Sequence, residues 1–251
     1  MEEAVVHCAN TIEDPFAVIG DVHGYIPPLE DLIGVLKTEV TNFADRWLVF
    51  VGDLVDRGNN PRQVIECVID LIKNRGRTTC IMGNHEFVLL SALGLLGPAL
   101  KRKYADFYVE QFSPEPTFRS YGIEPGNLEG LREAMPQEHL NFLLDLPWCV
   151  EAEGYLIVHA GLLPDKPYTE QLEKLRNREL NPGQPWIHEQ RLVMEKLPPD
   201  CPVTVVSGHV RFPEVVMTEK RILLDTTGGR HGRLSGVLLP ERRVFTSEVV
   251  I

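Results

Sequence analysis

Three times in the first ninety residues, a short apolar run gives way to a glycine-bounded polar turn and then to a stretch with helical periodicity. AVIG (17–20) leads through GDVHG to PLEDLIGVLKTEV. WLVFVG (47–52) leads through GDLVDRG to PRQVIECVIDLIKN, and TTCIMG (78–83) leads through GNHE to a helix from about Glu86. Short β-rich runs alternating with amphipathic helices predict βαβ units and a sheet covered on both faces. In such sheets ligands gather beyond the carboxyl ends of the strands, which is where all three turns lie.

Further along, the 14-residue run FVLLSALGLLGPAL (87–100) is too short to span a bilayer and reads as a core helix ending near Gly97-Pro98. Residues 98–146 are expected to form a helical insert that caps the site. Within it, SPEPTFRSYGIEPGN (113–127) reads as a proline- and glycine-rich loop and PQEHLNFLLDL (136–146) as an amphipathic helix. Strand patterns return at YLIVHAG (155–161), VTVVSGH (203–209) and RILLDT (221–226), and SGVLLP with VFTSEVV predicts a closing hairpin. No composition break marks a linker, so residues 1–251 read as one α/β domain.

Composition narrows the function classes. A chain of 251 residues with 43% hydrophobic and 24% charged residues can bury a full core and is not of disordered type. A formal net charge of −11 argues against a nucleic-acid partner, although a bound metal would let an acidic protein hold phosphate. The five cysteines, at 8, 67, 80, 149 and 201, lack CxxC spacing and are odd in number. That pattern predicts free thiols, no disulfides and a reducing compartment, cytoplasmic or nuclear. The acidic N-terminus has no apolar core of signal-peptide type, and no membrane partner is expected.

The chemistry lies just past the strands. Asp21, His23, Asp53, Asn84, His85, His159 and His209 each follow a predicted strand at a glycine-flanked turn. Oxygen and imidazole donors without thiolate suit Mn, Fe or Zn. The set is too large for one open catalytic metal and suits two, with one carboxylate bridging. Asp53, from the central unit, is the natural bridge.

GDVHG, GDLVDRG and GNHE, followed by VHAGLLP and SGH, resemble the calcineurin-like metallophosphoesterase superfamily, and within it the PPP phosphoprotein phosphatases. The resemblance implies a sandwich of two mixed sheets flanked by helices. It implies two divalent metal ions, one at Asp21, His23 and Asp53, the other at Asp53, Asn84, His159 and His209. His85 would be the general acid, Asp56 its orienting partner and Arg57 a phosphate clamp. Attack on a phosphomonoester would come from a hydroxide bridging the metals.

The ending LLDTTGGRHGRLSGVLLP is similar to that of the bacterial-like branch, and the best match is the Rhizobiales-like group of phosphatases also found in plants. That match implies phosphotyrosine-containing proteins as substrates, and the arginines near the expected rim (Arg119, Arg178, Arg211, Arg230 and Arg233) would suit a second phosphate on them. Related sequences carry an arginine soon after a tryptophan to grip phosphate; here PWIHEQR puts His188 at that place. Arg191, Arg178 and His188 are the alternatives for this second contact, beside Arg57 and Asn84. The competing functional classes are a dinucleoside-polyphosphate hydrolase, with the same metals and room for two nucleosides, and an inactive binding scaffold.

Overall fold

The computed structural model describes residues 6–180 and 184–251. Its first sheet runs β10–β9–β1–β2–β3, with β1 (Phe16–Ile19), β2 (Trp47–Phe50), β3 (Thr78–Cys80), β9 (Arg233–Leu239) and β10 (Arg243–Val250). The three βαβ strands are parallel, in register Phe16↔Trp47 and Leu48↔Thr78, while β9 pairs antiparallel with both β1 and β10. The second sheet runs β4–β5–β6–β8–β7, from β4 (Cys149–Ala152), β5 (Tyr155–Val158), β6 (Thr204–Ser207), β7 (Val216–Met217) and β8 (Arg221–Leu223). It too is mixed, with β5, β6 and β8 parallel and the two edge strands antiparallel.

Alternation along the strands explains why both faces are buried. Phe16 and Val18 of β1 and Val49 of β2 point between the sheets, where they meet Val150, Ile157, Val206 and Ile222. Ala17, Ile19, Leu48 and Phe50 point the other way and join the helix-covered core. There α1 (Ile26–Glu39) presents Leu29, Leu32, Ile33 and Leu36, and α2 (Pro61–Arg75) presents Val64, Ile65, Val68, Ile69 and Ile72. Both helices start with proline in the first turn, where a missing N–H costs nothing.

The central helical segment departs from expectation in detail. The third helix, α3 (Asn84–Ala92), begins two residues early, so Asn84 and His85 stand in its first turn. The apolar run after His85 is not one helix: α3 stops at Ala92, and α4 (Pro98–Gln111) starts afresh at the proline. The loop expected at 113–127 contains a helix, α5 (Glu115–Ser120), started by Pro116 in its first turn. Helices α6 (Leu128–Ala134) and α7 (Gln137–Asp145) complete the segment, and α8 (Tyr168–Arg176) and α9 (Pro185–His188) follow β5. All five cysteines are free thiols. Among the described residues no helix is long and apolar enough to cross a membrane.

Candidate active site

The carboxyl ends of β1, β2 and β3 from one sheet face those of β5, β6 and β8 from the other. Each end turns sharply. His23, Asp53, Asp56, Arg57 and His209 all have positive φ, between +46° and +69°. For non-glycine residues this backbone costs about 1–3 kcal/mol each and persists where the surroundings over-determine it. The turns also demand glycine where backbones nearly touch. A Cβ on Gly83 would lie 2.3 Å from Asp53 Oδ1, and one on Gly208 1.9 Å from Asp21 Oδ1.

Asp53 stands at the centre. It belongs to two clusters whose donor atoms lie within 4.8 Å of one another, His23, Asp53 and His85, all buried, and Asp53, His159 and the half-buried His209. Its Oδ2 is 3.6 Å from His23 Nε2, 3.9 Å from His85 Nε2 and 3.4 Å from His159 Nε2. Asn84 joins the second cluster through Oδ1, 3.0 Å from His159 Nε2 and 2.8 Å from His209 Nδ1. Asp21 lies beside these groups but in neither. Its Oδ2 accepts the His209 N–H at 2.9 Å, while Oδ1 is buried with no partner.

The imidazoles are set for coordination. His23 Nδ1 donates to Val55 O at 3.1 Å, His159 Nδ1 to Val51 O at 2.7 Å and His209 Nε2 to His188 O at 3.2 Å. Anchoring one nitrogen to a backbone carbonyl turns the other, with its lone pair, toward the cluster. Together with the orphaned Asp21 Oδ1, this donor set fits divalent cations. Burial alone lowers the affinity of His159 for a proton, but Asp53 overrides it and carries the group up to about 10. Burial raises Asp53, yet the neighbouring His159 and His85 hold it well below the usual carboxylate range. A cation entering beside Asp53 would displace that imidazole proton.

His85 forms a second motif. Its Nδ1 is 2.7 Å from Asp56 Oδ2, and its Nε2 faces Arg57 Nη2 at 3.1 Å. Arg57 Nη1 reaches His23 Nε2 at 2.8 Å and donates to Gly228 O at 2.6 Å. These groups open onto a cleft of about 520 Å³, whose wall includes Lys103, Tyr104, Phe107 and Phe112 from the α4 region, with His188 and His209 opposite.

The arginines proposed as second phosphate contacts lie elsewhere. Arg191 is exposed and committed to Glu189 at 2.9 Å and Glu195 at 3.0 Å. Arg178 donates to Leu144 O at 2.8 Å and lines a separate cavity with Trp148 and Leu180. Only His188 of the three reaches the cleft, where burial lowers it to about 4 and leaves Nε2 without a partner. Two residues given no role from sequence complete the site. Glu86 ties the second and third turns together through backbone N–H groups. Asp225, just past β8, accepts N–H groups of Thr227 and Gly228 at Oδ1 and leaves Oδ2 unpartnered. After burial, its charge is the next cause that raises Asp21 well above the usual carboxylate range. The acid of LLDT, ending a strand like the others, was the signal for it.

Strand-end donors around two clusters on two facing mixed sheets define the metallophosphoesterase fold. Residues 14–232 match the calcineurin-like phosphoesterase family, and the chain belongs to it. Over 244 residues it is 25% identical to the asymmetrical bis(5'-nucleosyl)-tetraphosphatase PrpE of Bacillus mycoides, covering 90% of this chain and 91% of that protein. It is 29% identical over 150 residues to the symmetrical bis(5'-nucleosyl)-tetraphosphatase of Ralstonia nicotianae, covering 60% of this chain and 43% of that one. The chain spans less than half the length of the first relatives it matches, an uncharacterized protein of Schizosaccharomyces pombe among them. The cold-active protein-tyrosine phosphatase of a Shewanella species shares the fold, with a TM-score of 0.59 at 16% identity over 97% of this chain and 84% of that one.

Proposed function

We propose that the protein is a two-metal phosphohydrolase that cleaves dinucleoside tetraphosphates, working as one phosphoesterase domain with residues 98–146 as its cap. The observation that carries the hydrolase reading is the buried Asp53, shared by two donor clusters and flanked by a His85–Asp56 pair. Asp21, His23 and Asp53 would hold one cation, and Asp53, Asn84, His159 and His209 the other, with Mn, Fe or Zn suited to the donors. Such a pair of cations supplies activated water near neutral pH and neutralises phosphate charge.

The chain's own groups do the rest. Arg57 offers two donors to phosphoryl oxygens, in the planar geometry a lysine lacks. His85 lines the cleft with Nε2 beside Arg57, and from there it would give its proton to the departing oxygen as the P–O bond breaks. Asp56, on Nδ1, keeps the ring oriented. Tyr104, Phe107 and Phe112, with Lys103, line the cleft with aromatic rings and one cation, a surface suited to a nucleobase and its phosphates. Similarity to a tetraphosphatase over nine-tenths of both chains supports that substrate class. Free thiols suit work in the cytoplasm or nucleus.

One observation favours a second reading, a phosphotyrosine-directed protein phosphatase of the bacterial-like, Rhizobiales-like group. A cleft of about 520 Å³ accommodates one phosphoryl group and one ring, so a second nucleoside would lie outside it. The test is kcat/KM for diadenosine tetraphosphate, a phosphotyrosine peptide and a phosphoserine peptide at equal metal loading. The first reading expects the dinucleotide to lead by at least tenfold. Phosphotyrosine in the lead selects the second, and no turnover of any substrate refutes the hydrolase.

A further inference from the structure

Asp56 is completely buried, and only one of its carboxylate oxygens serves His85. The other, Oδ1, accepts hydrogen bonds from Tyr108 Oη at 2.7 Å and Thr117 Oγ1 at 2.6 Å. Thr117 Oγ1 in turn accepts the Asp56 backbone N–H at 3.1 Å, closing a small ring around the left-handed Asp56 turn. Tyr108 and Thr117 are themselves fully buried. Both lie on the segment the sequence reads as a cap, Tyr108 on α4 and Thr117 on α5. Between them Phe112 meets the His85 ring edge-on, 4.6 Å between centroids, and Ser113 O accepts the Arg57 N–H at 3.3 Å.

We propose that Tyr108 and Thr117 are positioning residues for the His85–Asp56 pair, so that the α4–α5 corner sets the geometry of the general acid. The inference rests on His85 acting as that acid. An anionic oxygen buried without donors is costly, so the Asp56 carboxylate stays put only while both hydroxyls hold Oδ1. Fixed there, it presents Oδ2 to Nδ1 and leaves Nε2 aimed at the cleft. Removing either hydroxyl frees the carboxylate to rotate, and the imidazole loses its anchor. The tyrosine is kept as a donor, because burial and the nearby Asp56 charge push its own ionisation well above the usual phenol range.

The role predicts a dependence on the leaving group. A departing oxygen of high pKa needs the proton and one of low pKa does not. Tyr108→Phe, Thr117→Val, Thr117→Ser and His85→Asn are each assayed with phenyl phosphate and 2,4-dinitrophenyl phosphate. Tyr108→Phe and Thr117→Val should lower kcat for phenyl phosphate by about 10–100-fold, a share of the 10²–10⁴ that a general acid contributes. Turnover of 2,4-dinitrophenyl phosphate, KM and metal content should hold within about threefold. Thr117→Ser, which keeps the hydroxyl, should restore the rate. In a His85→Asn background, Tyr108→Phe should add nothing, since the two act through one proton. Zinc-loaded protein gives a readout free of turnover: the downfield Nδ1 proton of His85, identified by its loss in His85→Asn, should broaden or vanish in Tyr108→Phe and Thr117→Val. Unchanged rates and resonance, or losses equal on both substrates, would overturn the positioning role. If His85→Asn itself slows both substrates equally, the acid assignment fails, and the inference with it.

Discussion

The carboxylate of Glu86 accepts the backbone N–H of Asp53 at 2.8 Å. The same side chain takes the N–H groups of Leu54 at 2.7 Å, Val55 at 3.2 Å and Gly83 at 3.2 Å. Glu86 is fully buried, so its two oxygens satisfy four donors that water cannot reach. The turn that presents the central carboxylate is thereby held by the first turn of α3.

Replacing Glu86 with alanine should destabilise the fold by at least about 3 kcal/mol, since each buried donor left unpaired costs about 1–3 kcal/mol. Urea midpoints would measure this. Metal retention should fall with it, because the Asp53 turn loses its support.

His85→Asn and Asp56→Asn should each lower kcat toward poor leaving groups by about 10²–10⁴, with KM and metal content near those of the parent. Steady-state kinetics paired with metal analysis tests this. A parallel loss of metal would instead make His85 a ligand, as its place in the Asp53 cluster permits.

Arg57→Ala should impair turnover strongly, while Arg191→Ala and Arg178→Ala should leave kcat/KM within about twofold. Arg57 touches His23 and His85, whereas Arg191 is spent on exposed hydrogen bonds to Glu189 and Glu195. Alanine variants of all three, assayed on one substrate, separate them.

His188 bears on acid stability. Burial lowers it to about 4, below its ordinary value near 6.5, so the unfolded chain takes up this proton first as pH falls. Stability present above pH 6.5 is lost progressively toward pH 4, by an amount on the order of 1–3 kcal/mol for this partly exposed group. Chemical unfolding between pH 7 and pH 4 should show a shallower acid limb in His188→Gln than in the parent.

The site was legible because its donors sit where topology must put them, one or two residues beyond apolar runs that can only be buried strands. The family resemblance supplied the two mixed sheets; strand-end logic alone put Asp53, His159 and His209 in one donor list across a hundred residues of sequence. It failed where direction depends on a loop. Arg191 and Arg178 follow α9 and α8 closely enough in sequence, but Arg191 turns to its neighbours Glu189 and Glu195, and Arg178 to the Leu144 carbonyl, instead of the cleft. Short elements were equally opaque: β7 has two residues, and α5 lies inside a proline-rich stretch that reads as loop. Glu86 left a trace, since a glutamate three residues after Gly83 is where a capping side chain reaches back to the helix start.

One carboxylate, Asp53, would organise two cations for hydrolysis. The most direct test of that role is metal content per chain, measured alongside turnover, for the parent and Asp53→Asn. Two metals per active chain are expected, and for Asp53→Asn a loss of metal together with turnover. Undiminished hydrolysis by Asp53→Asn, or full activity in a chain stripped of metal by chelation, would contradict it.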